Sequence, residues 1–337
     1  MDKQLLSTFI KKLETPKKIV IIPHKNPDGD ALGSCLALHF FLVKTGHSAD
    51  VISPNEYPEF LNWMPGQENI INYSTANEKT VELIEKAEII FTLDYNQLNR
   101  IGNLEPIVAS SKAQKIMIDH HENPGDYADV TYSDASIGST CEMVFELLHA
   151  LNPIEIDKSI ATCLYTGIMT DTGSFRFPST TARTHQIVSS LIEKGAQPHS
   201  IHQNIYDTAS FNRLRLLGTA LNNLKKIEGL PVVYITLSQK ELNQNKFKKG
   251  DTEGFVNYGL SLQGVFLSVI MIENESEKII KMSFRSKGSV DVNQFARKYF
   301  NGGGHINAAG GKSDTSIEET VSYFIKSIES EKNIFNA

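Results

Sequence analysis

Cysteine is scarce in this 337-residue chain, tryptophan occurs once, and an excess of basic charge is missing altogether. The three cysteines, Cys35, Cys141 and Cys163, are odd in number and lie far apart inside apolar segments. That excludes a disulfide framework and a cysteine-built zinc site, and it reads as buried free thiols in a reducing compartment. The formal charge of −6 excludes the broad basic surface on which long duplex nucleic acid is held. It leaves room for a small anionic substrate gripped by a few local cations. No run approaches the ~18 apolar residues of a membrane span, and the first 13 residues are charged where a signal peptide would be apolar. A cytoplasmic location without a membrane partner is the expectation. Internal repeats and low-complexity segments are absent from the sequence as well.

What is present is the length and apolar content of an ordinary globular chain, enough for two domains. The first half alternates short apolar runs with helical patterns. Residues 18–23 (KIVIIP), 49–53, 88–93 (EIIFTL) and 115–118 (KIMI) read as strands, and 31–45 as a helix closed by Gly46. Continuously apolar strands separated by helices predict a parallel sheet buried on both faces, whose ligands collect beyond the carboxyl ends of the strands. Helices are expected over 140–150, 159–169 and 184–194. From about residue 230 the pattern becomes β-rich (230–237, 265–273 and 278–286), then helical over 291–300 and 317–330. The expected fold is α/β. A parallel-sheet domain spans residues 1–195, a helical connector 196–217, and a smaller α+β domain 218–332.

Four short segments carry aspartates and histidines where apolar runs end: His24-Lys25-Asn26-Pro27-Asp28-Gly29-Asp30, Leu93-Asp94, Asp119-His120-His121 and Thr170-Asp171-Thr172-Gly173. Pro27 and Gly29 argue against a helical path through the first segment, so its side chains can converge from a turn. Asp28, Asp30, Asp94 and Asp171 carry four negative charges, which balance two divalent cations, and neutral His24 and His120 can complete the ligand sets. Mixed carboxylate and imidazole donors suit Mn2+ or similar borderline ions better than Ca2+. Taken singly, each has a plainer reading. An aspartate after a strand commonly caps a helix, as Asp30 could for a helix beginning at Ala31, and a His-His pair commonly packs. Four such segments at one sheet edge point to a cation site.

These segments resemble the four motifs of the DHH phosphoesterase superfamily. Gly302-Gly303-Gly304-His305 with Asn307-Ala308-Ala309-Gly310 resembles the glycine-rich motif of the associated DHHA1 domain. The resemblance spans nearly the whole chain, both domains in order. It implies that His24, Asp28 and Asp94 hold one metal, and that Asp30, Asp94, His120 and Asp171 hold the other, with Asp94 shared. It implies that His121 faces the substrate phosphate and that Asp119 orients a neighbouring ligand. Two divalent ions, Mn2+ with Mg2+ or Co2+ as substitutes, would activate water for in-line attack on phosphorus. Four carboxylates neutralise those ions, so an anionic substrate needs further donors. The resemblance supplies Arg285, which can grip a phosphate in a bidentate way, the backbone of Gly302, Gly303 and Gly304, then His305 and, more weakly, Asn307. Substrate would sit in a cleft between the two domains.

The implied activity is hydrolysis of short oligoribonucleotides, of adenosine 3′,5′-bisphosphate, or both, to nucleoside monophosphates. Short single-stranded RNA or small nucleotides would be the partners, and a homodimer would be unsurprising. The alternatives are a phosphodiesterase for cyclic di-AMP or linear pApA, and a non-enzymatic nucleotide-binding regulator. Neither the extra nucleic-acid domains of a RecJ-type exonuclease nor the distinct second domain of a family II pyrophosphatase is legible. His39, His47, His149, His185, His199 and His202 lack converging acidic partners and read as structural or exposed. Thr140, Thr172 and Arg176 lie near the motifs as weaker candidates.

Overall fold

The computed structural model describes residues 1–332. The chain divides into two compact units, Met1–Thr208 and the part from Ala209 onward. In chain order the first unit comprises α1 (Lys3–Lys12), β1 (Lys18–Pro23), α2 (Gly29–Lys44), β2 (Ser48–Ser53) and β3 (Ile71–Asn72). It continues with α3 (Asn77–Lys86), β4 (Ile89–Leu93), α4 (Glu105–Ser110), β5 (Gln114–Asp119) and β6 (Val130–Ser133). Four helices close it: α5 (Thr140–Leu151), α6 (Lys158–Asp171), α7 (Ala182–Glu193) and α8 (Pro198–Tyr206). The sheet runs β3-β2-β1-β4-β5-β6, and every pairing in it is parallel.

Strand β1 shows why a parallel sheet reads as an unbroken apolar run. Ile19 and Ile21 enter the core built with α2, α5 and α6, while Val20 and Ile22 enter the opposite core with Ile84 of α3 and Val108 of α4. Both faces are covered, so both sets of alternating side chains must be apolar. Chain order reverses between β1 and β4. There the helices leaving adjacent strands diverge to opposite faces and open a crevice at the carboxyl ends.

Helix α2 begins two residues earlier than the sequence suggests. Asp28, not Asp30, is its N-cap, and the Asp28 carboxylate accepts from the N–H groups of Asp30 and Ala31 at 3.0 Å each. Gly29 is accommodated as the first helical residue, where glycine costs little, and Asp30 is left in the first turn, buried. Helices α2 and α6 cross closely at Gly33 and Gly167. A Cβ on Gly33 would lie 2.5 Å from the Cys163 carbonyl oxygen, and one on Gly167 2.2 Å from the Cys141 Sγ and 2.8 Å from the Asp30 Oδ1.

The second unit comprises α9 (Phe211–Asn222), β7 (Lys225–Lys226), β8 (Val232–Leu237), α10 (Gln239–Gln244), α11 (Phe255–Leu260), β9 (Leu267–Asn274) and β10 (Ile279–Ser286). It ends with α12 (Val292–Phe300), β11 (Gly303–His305), β12 (Ala308–Ser313) and α13 (Ile317–Ser330). Its mixed sheet runs β11-β12-β10-β9-β8-β7, with only β8 and β9 parallel among the described residues. Alternating residues divide between two cores. Val232, Tyr234, Val269, Met282 and Phe284 pack under α12 and α13, and Ile235, Leu237 and Ile270 pack with α9, α10 and α11.

The stretch 196–217, expected as one connector, is divided. Helix α8 packs within the first unit, where Ile201 joins the core, and α9 belongs to the second. The glycine-rich segment is strand, not loop, because β11 pairs with β12. Strand β12 (AAGGKS) has almost no strand propensity of its own and is held by its six-residue pairing with β10. Among the described residues no helix is long and apolar enough to cross a membrane.

Candidate active site

Three strand ends and one helix end bring the site together. His24 follows β1, Asp94 follows β4, Asp119 ends β5 with His120 and His121 after it, and Asp171 ends α6. Asp28 and Asp30 arrive at the start of α2. Asp94 is central and nearly fully buried. Its Oδ2 lies 3.5 Å from the His24 Nε2, and its Oδ1 lies 3.6 Å from the His120 Nε2 and 3.8 Å from the His121 Nδ1. On one side His24 is 3.9 Å from the Asp28 Oδ2. On the other His120 is 3.3 Å from the Asp171 Oδ2 and 4.0 Å from the Asp30 Oδ2.

These separations are informative. Strong N–H···O bonds close to 2.7–3.2 Å, and all six of these contacts are longer. Two ligand atoms held about 2.1 Å from one cation stand roughly 3.0 Å apart in octahedral and 3.4 Å apart in tetrahedral geometry. The spacings of 3.3–4.0 Å around His24 and His120 are longer than strong hydrogen bonds and leave room for a shared cation between the ligand atoms. His24, Asp28 and Asp94 form one such group and Asp30, His120 and Asp171 a second; within each group the ligand atoms lie within 4.8 Å of one another.

The surrounding backbone fixes these groups. Asp30 is clamped by the N-terminus of α5, where the Thr140 N–H meets its Oδ2 at 2.6 Å and the Cys141 N–H its Oδ1 at 2.8 Å. These two N–H groups fix the orientation of the carboxylate at that helix end. The Thr140 hydroxyl donates to the Asp94 Oδ1 at 2.9 Å. Asp94 itself sits at φ 67°, in the left-handed region that aspartate tolerates better than most residues. His121 and Asp119 form a bonded pair, Nδ1 to Oδ1 at 2.7 Å. The second Asp119 oxygen is buried with no hydrogen-bond partner among the described residues.

Crowded carboxylates also set the protonation of the site. Burial alone would lower the His24 pKa, but the bond to Asp94 and the charges of Asp28 and Asp94 outweigh it and push it up to about 9. Burial likewise opposes a charged His120, and Asp171, Asp94 and Asp30 push it up to about 9. Burial, with Asp28 and Asp94 nearby, pushes Asp171 up to about 6 against the pull of His120. Asp30 rises well above the carboxylate range through burial and the charges of Asp94 and Asp171. Asp94 is held below that range in spite of its burial, by the His24 bond and the charges of the three histidines. The pocket gathers protons because its acids demand positive charge, and divalent cations are the alternative supply.

In the second unit Arg285 lies on β10, directly opposite Ala308 of β12, which is in turn opposite His305 of β11. The glycines there have packing reasons of their own. A Cβ on Gly302 would lie 2.0 Å from the Gly310 carbonyl oxygen, and one on Gly304 2.4 Å from that of Ala308. The Gly302 N–H donates to the Ala296 carbonyl and the Gly304 N–H to the Asn293 side chain. These two N–H groups are therefore engaged within the unit. Asn307 is engaged as well, donating to the Ser286 hydroxyl at 3.0 Å and to the Gly288 carbonyl at 3.1 Å.

A model of the N-terminal domain of the DHH family matches residues 18–168, and a model of the DHHA1 domain matches residues 229–332. A bifunctional oligoribonuclease and PAP phosphatase, NrnA, from Thermus thermophilus is 30% identical over 309 residues, covering 91% of this chain and 87% of that protein. The chain belongs to the DHH family. As a member it is an α/β phosphoesterase, an enzyme that hydrolyses phosphoester bonds. A crystal structure of an exopolyphosphatase-related protein from Bacteroides fragilis superposes with a TM-score of 0.95 at 41% identity, over 100% of this chain and 98% of that one. The fold is also shared with RecJ from Thermus thermophilus, solved in complex with Mn2+, at a TM-score of 0.55 and 13% identity over 97% of this chain and 54% of that one.

Several residues of this DHH-family site escape a motif reading. Thr140 was a weak candidate for substrate contact, but its N–H and hydroxyl hold Asp30 and Asp94. Cys141 contributes through its backbone, which no motif records. One signal was available: Ser139-Thr140-Cys141-Glu142 carries the S-x-x-E signature of a helix start, and Ser139 does cap α5. Three of the remaining histidines bond locally. His39 meets the Ala49 carbonyl, His47 accepts the Lys17 N–H, and His202 meets the Ser174 hydroxyl.

Proposed function

We propose that the chain is a two-metal phosphoesterase acting on short oligoribonucleotides and on adenosine 3′,5′-bisphosphate. The observation that carries this reading is the placement of Asp94, whose two oxygens face His24 on one side and His120 on the other. His24, Asp28 and Asp94 would hold one divalent cation, and Asp30, Asp94, His120 and Asp171 the second. Mn2+ is favoured by the mixed oxygen and imidazole donors and by the ion named for the RecJ structure. When bound, such a pair supplies a nucleophile from water at neutral pH and neutralises phosphoryl oxygens.

The protein's own groups do the rest. The α5 N-terminus and the Thr140 hydroxyl hold Asp30 and Asp94 in fixed orientations, which lowers the reorganisation needed when substrate arrives. Asp119 commits the Nδ1 of His121, so Nε2 is the nitrogen that can meet a phosphoryl oxygen or the departing group. Arg285 and His305, spaced by Ala308, are assigned to substrate phosphate. The assignment to short RNA and adenosine 3′,5′-bisphosphate is supported by the named activities of the 30% identical relative. The test is a panel assayed with Mn2+: pApA, longer oligoadenylates, adenosine 3′,5′-bisphosphate, cyclic di-AMP, pyrophosphate and polyphosphate. Release of AMP from pApA and of phosphate from the bisphosphate is expected. Turnover confined to polyphosphate or pyrophosphate would overturn the reading.

A further inference from the structure

One face of the second unit's sheet is unlike the rest. Register places Lys281 of β10 directly opposite Lys312 of β12, Ser283 opposite Gly310, and Arg285 opposite Ala308, with His305 beyond on β11. The alternate residues Met282, Phe284 and Ala309 point into the core under α12 and α13, so this row occupies the other face. Over β8 and β9 that other face is covered, for Ile235 and Ile270 pack with α9 and α11. At the Lys281 end of β10 and on β12 it is open: Lys281, Gly310 and Lys312 are exposed, and a Cβ on Gly310 would meet nothing closer than 3.8 Å.

Like charges directly opposite one another on neighbouring strands are destabilising. Lys281 is paired at 2.6 Å with Glu277, but both partners are exposed and such pairs contribute little. A lysine pair at this register, at the end of a smooth floor of serine, glycine and alanine, has the composition of an anion track. Four strand steps separate Lys281 from Arg285, which is about 14 Å and longer than one repeat of an extended nucleotide chain.

We propose that Lys281 and Lys312 form a second phosphate subsite, which holds the backbone of an oligoribonucleotide whose reacting end is held by Arg285 and His305. This rests on the oligoribonucleotide reading above and adds to it a preference for chains longer than two nucleotides. The experiment compares the Mn2+-loaded wild-type chain with K281Q/K312Q on pApA and on the tetranucleotide pApApApA. KM for the tetranucleotide should rise about tenfold, the scale of two exposed charge contacts, with KM for pApA changed less than about twofold. The salt dependence of tetranucleotide binding should flatten by a slope of about 1.4, at 0.7 per lost phosphate contact. The charge-retaining K281R/K312R should restore both, and the melting temperature of K281Q/K312Q should not fall. Equal effects on the two substrates, or none on either, would overturn the subsite while leaving the oligoribonucleotide reading intact. Failure of the wild-type chain to cleave either RNA would remove both.

Discussion

Asn at position 94 isolates the charge that organises the site. The change keeps the shape of the side chain and an oxygen to accept the Thr140 hydroxyl, and asparagine tolerates the left-handed backbone found there. In the metal-free wild-type protein the surrounding carboxylates push His24 up to about 9, so most of it carries a proton at pH 7.5. Asp94 supplies both the hydrogen bond and one of the two charges that raise it, and the burial that opposes them remains in D94N. His24 should then fall toward its ordinary 6.5, leaving most of it neutral at pH 7.5. Histidine side-chain nitrogen shifts in metal-free protein, measured across pH, read this directly. In Mn2+ the same variant should bind fewer than two ions per chain by elemental analysis. Its turnover should fall by more than about 100-fold, the upper end of what partners behind a ligand cost. D94A should add about 1 kcal/mol of backbone strain to its stability loss. Retention of two ions with near-normal turnover in D94N, or a His24 still protonated at pH 7.5, would refute the shared-ligand role.

Gly167→Ala should destabilise the fold by about 1–3 kcal/mol in urea melts, because its Cβ would lie 2.2 Å from the Cys141 Sγ, and adding Cys141→Ala should recover part of the loss. Raised pKa values at His24 and His120 stabilise the metal-free fold below their ordinary 6.5, and that contribution is lost as pH rises through about 9. Metal-free melting temperatures should therefore drop across pH 6.5–9, while Mn2+ affinity by calorimetry climbs over the same window with proton release; a flat affinity would contradict the proton-loaded site. Arg285→Ala should raise KM for pApA with two Mn2+ still bound, and loss of metal instead would show that Arg285 supports the cation site.

Much of this was legible along the chain because parallel strands carry their own signature. The apolar runs of β1, β4 and β5 each end in the residue that matters, and a sheet covered on both faces places those ends on one edge. His24, Asp94, Asp119, His120 and His121 follow from that rule without tertiary knowledge. Asp28 and Asp30 were both visible as candidate ligands, but the plain reading of Asp30 as helix cap fell to Asp28, because α2 starts at Gly29. The partners of the Asp30 carboxylate could not be read from the chain, because its two N–H donors come from the distant start of α5.

The sequence by itself determined the residue types, their spacing and the alternation of strands and helices, and with them the α/β class and the demand for cations. Periodicity and chain order are local properties, and burial on both sheet faces converts them into a topology. The tertiary structure decided what depends on contacts between distant segments. It set the close crossing of α2 and α6 at two glycines, the clamp of α5 on Asp30 and the opposed faces of Asp94. It also gave Gly302 and Gly304 a packing role, for a segment as poor in propensity as β12 becomes a strand only when β10 and β11 supply its hydrogen bonds.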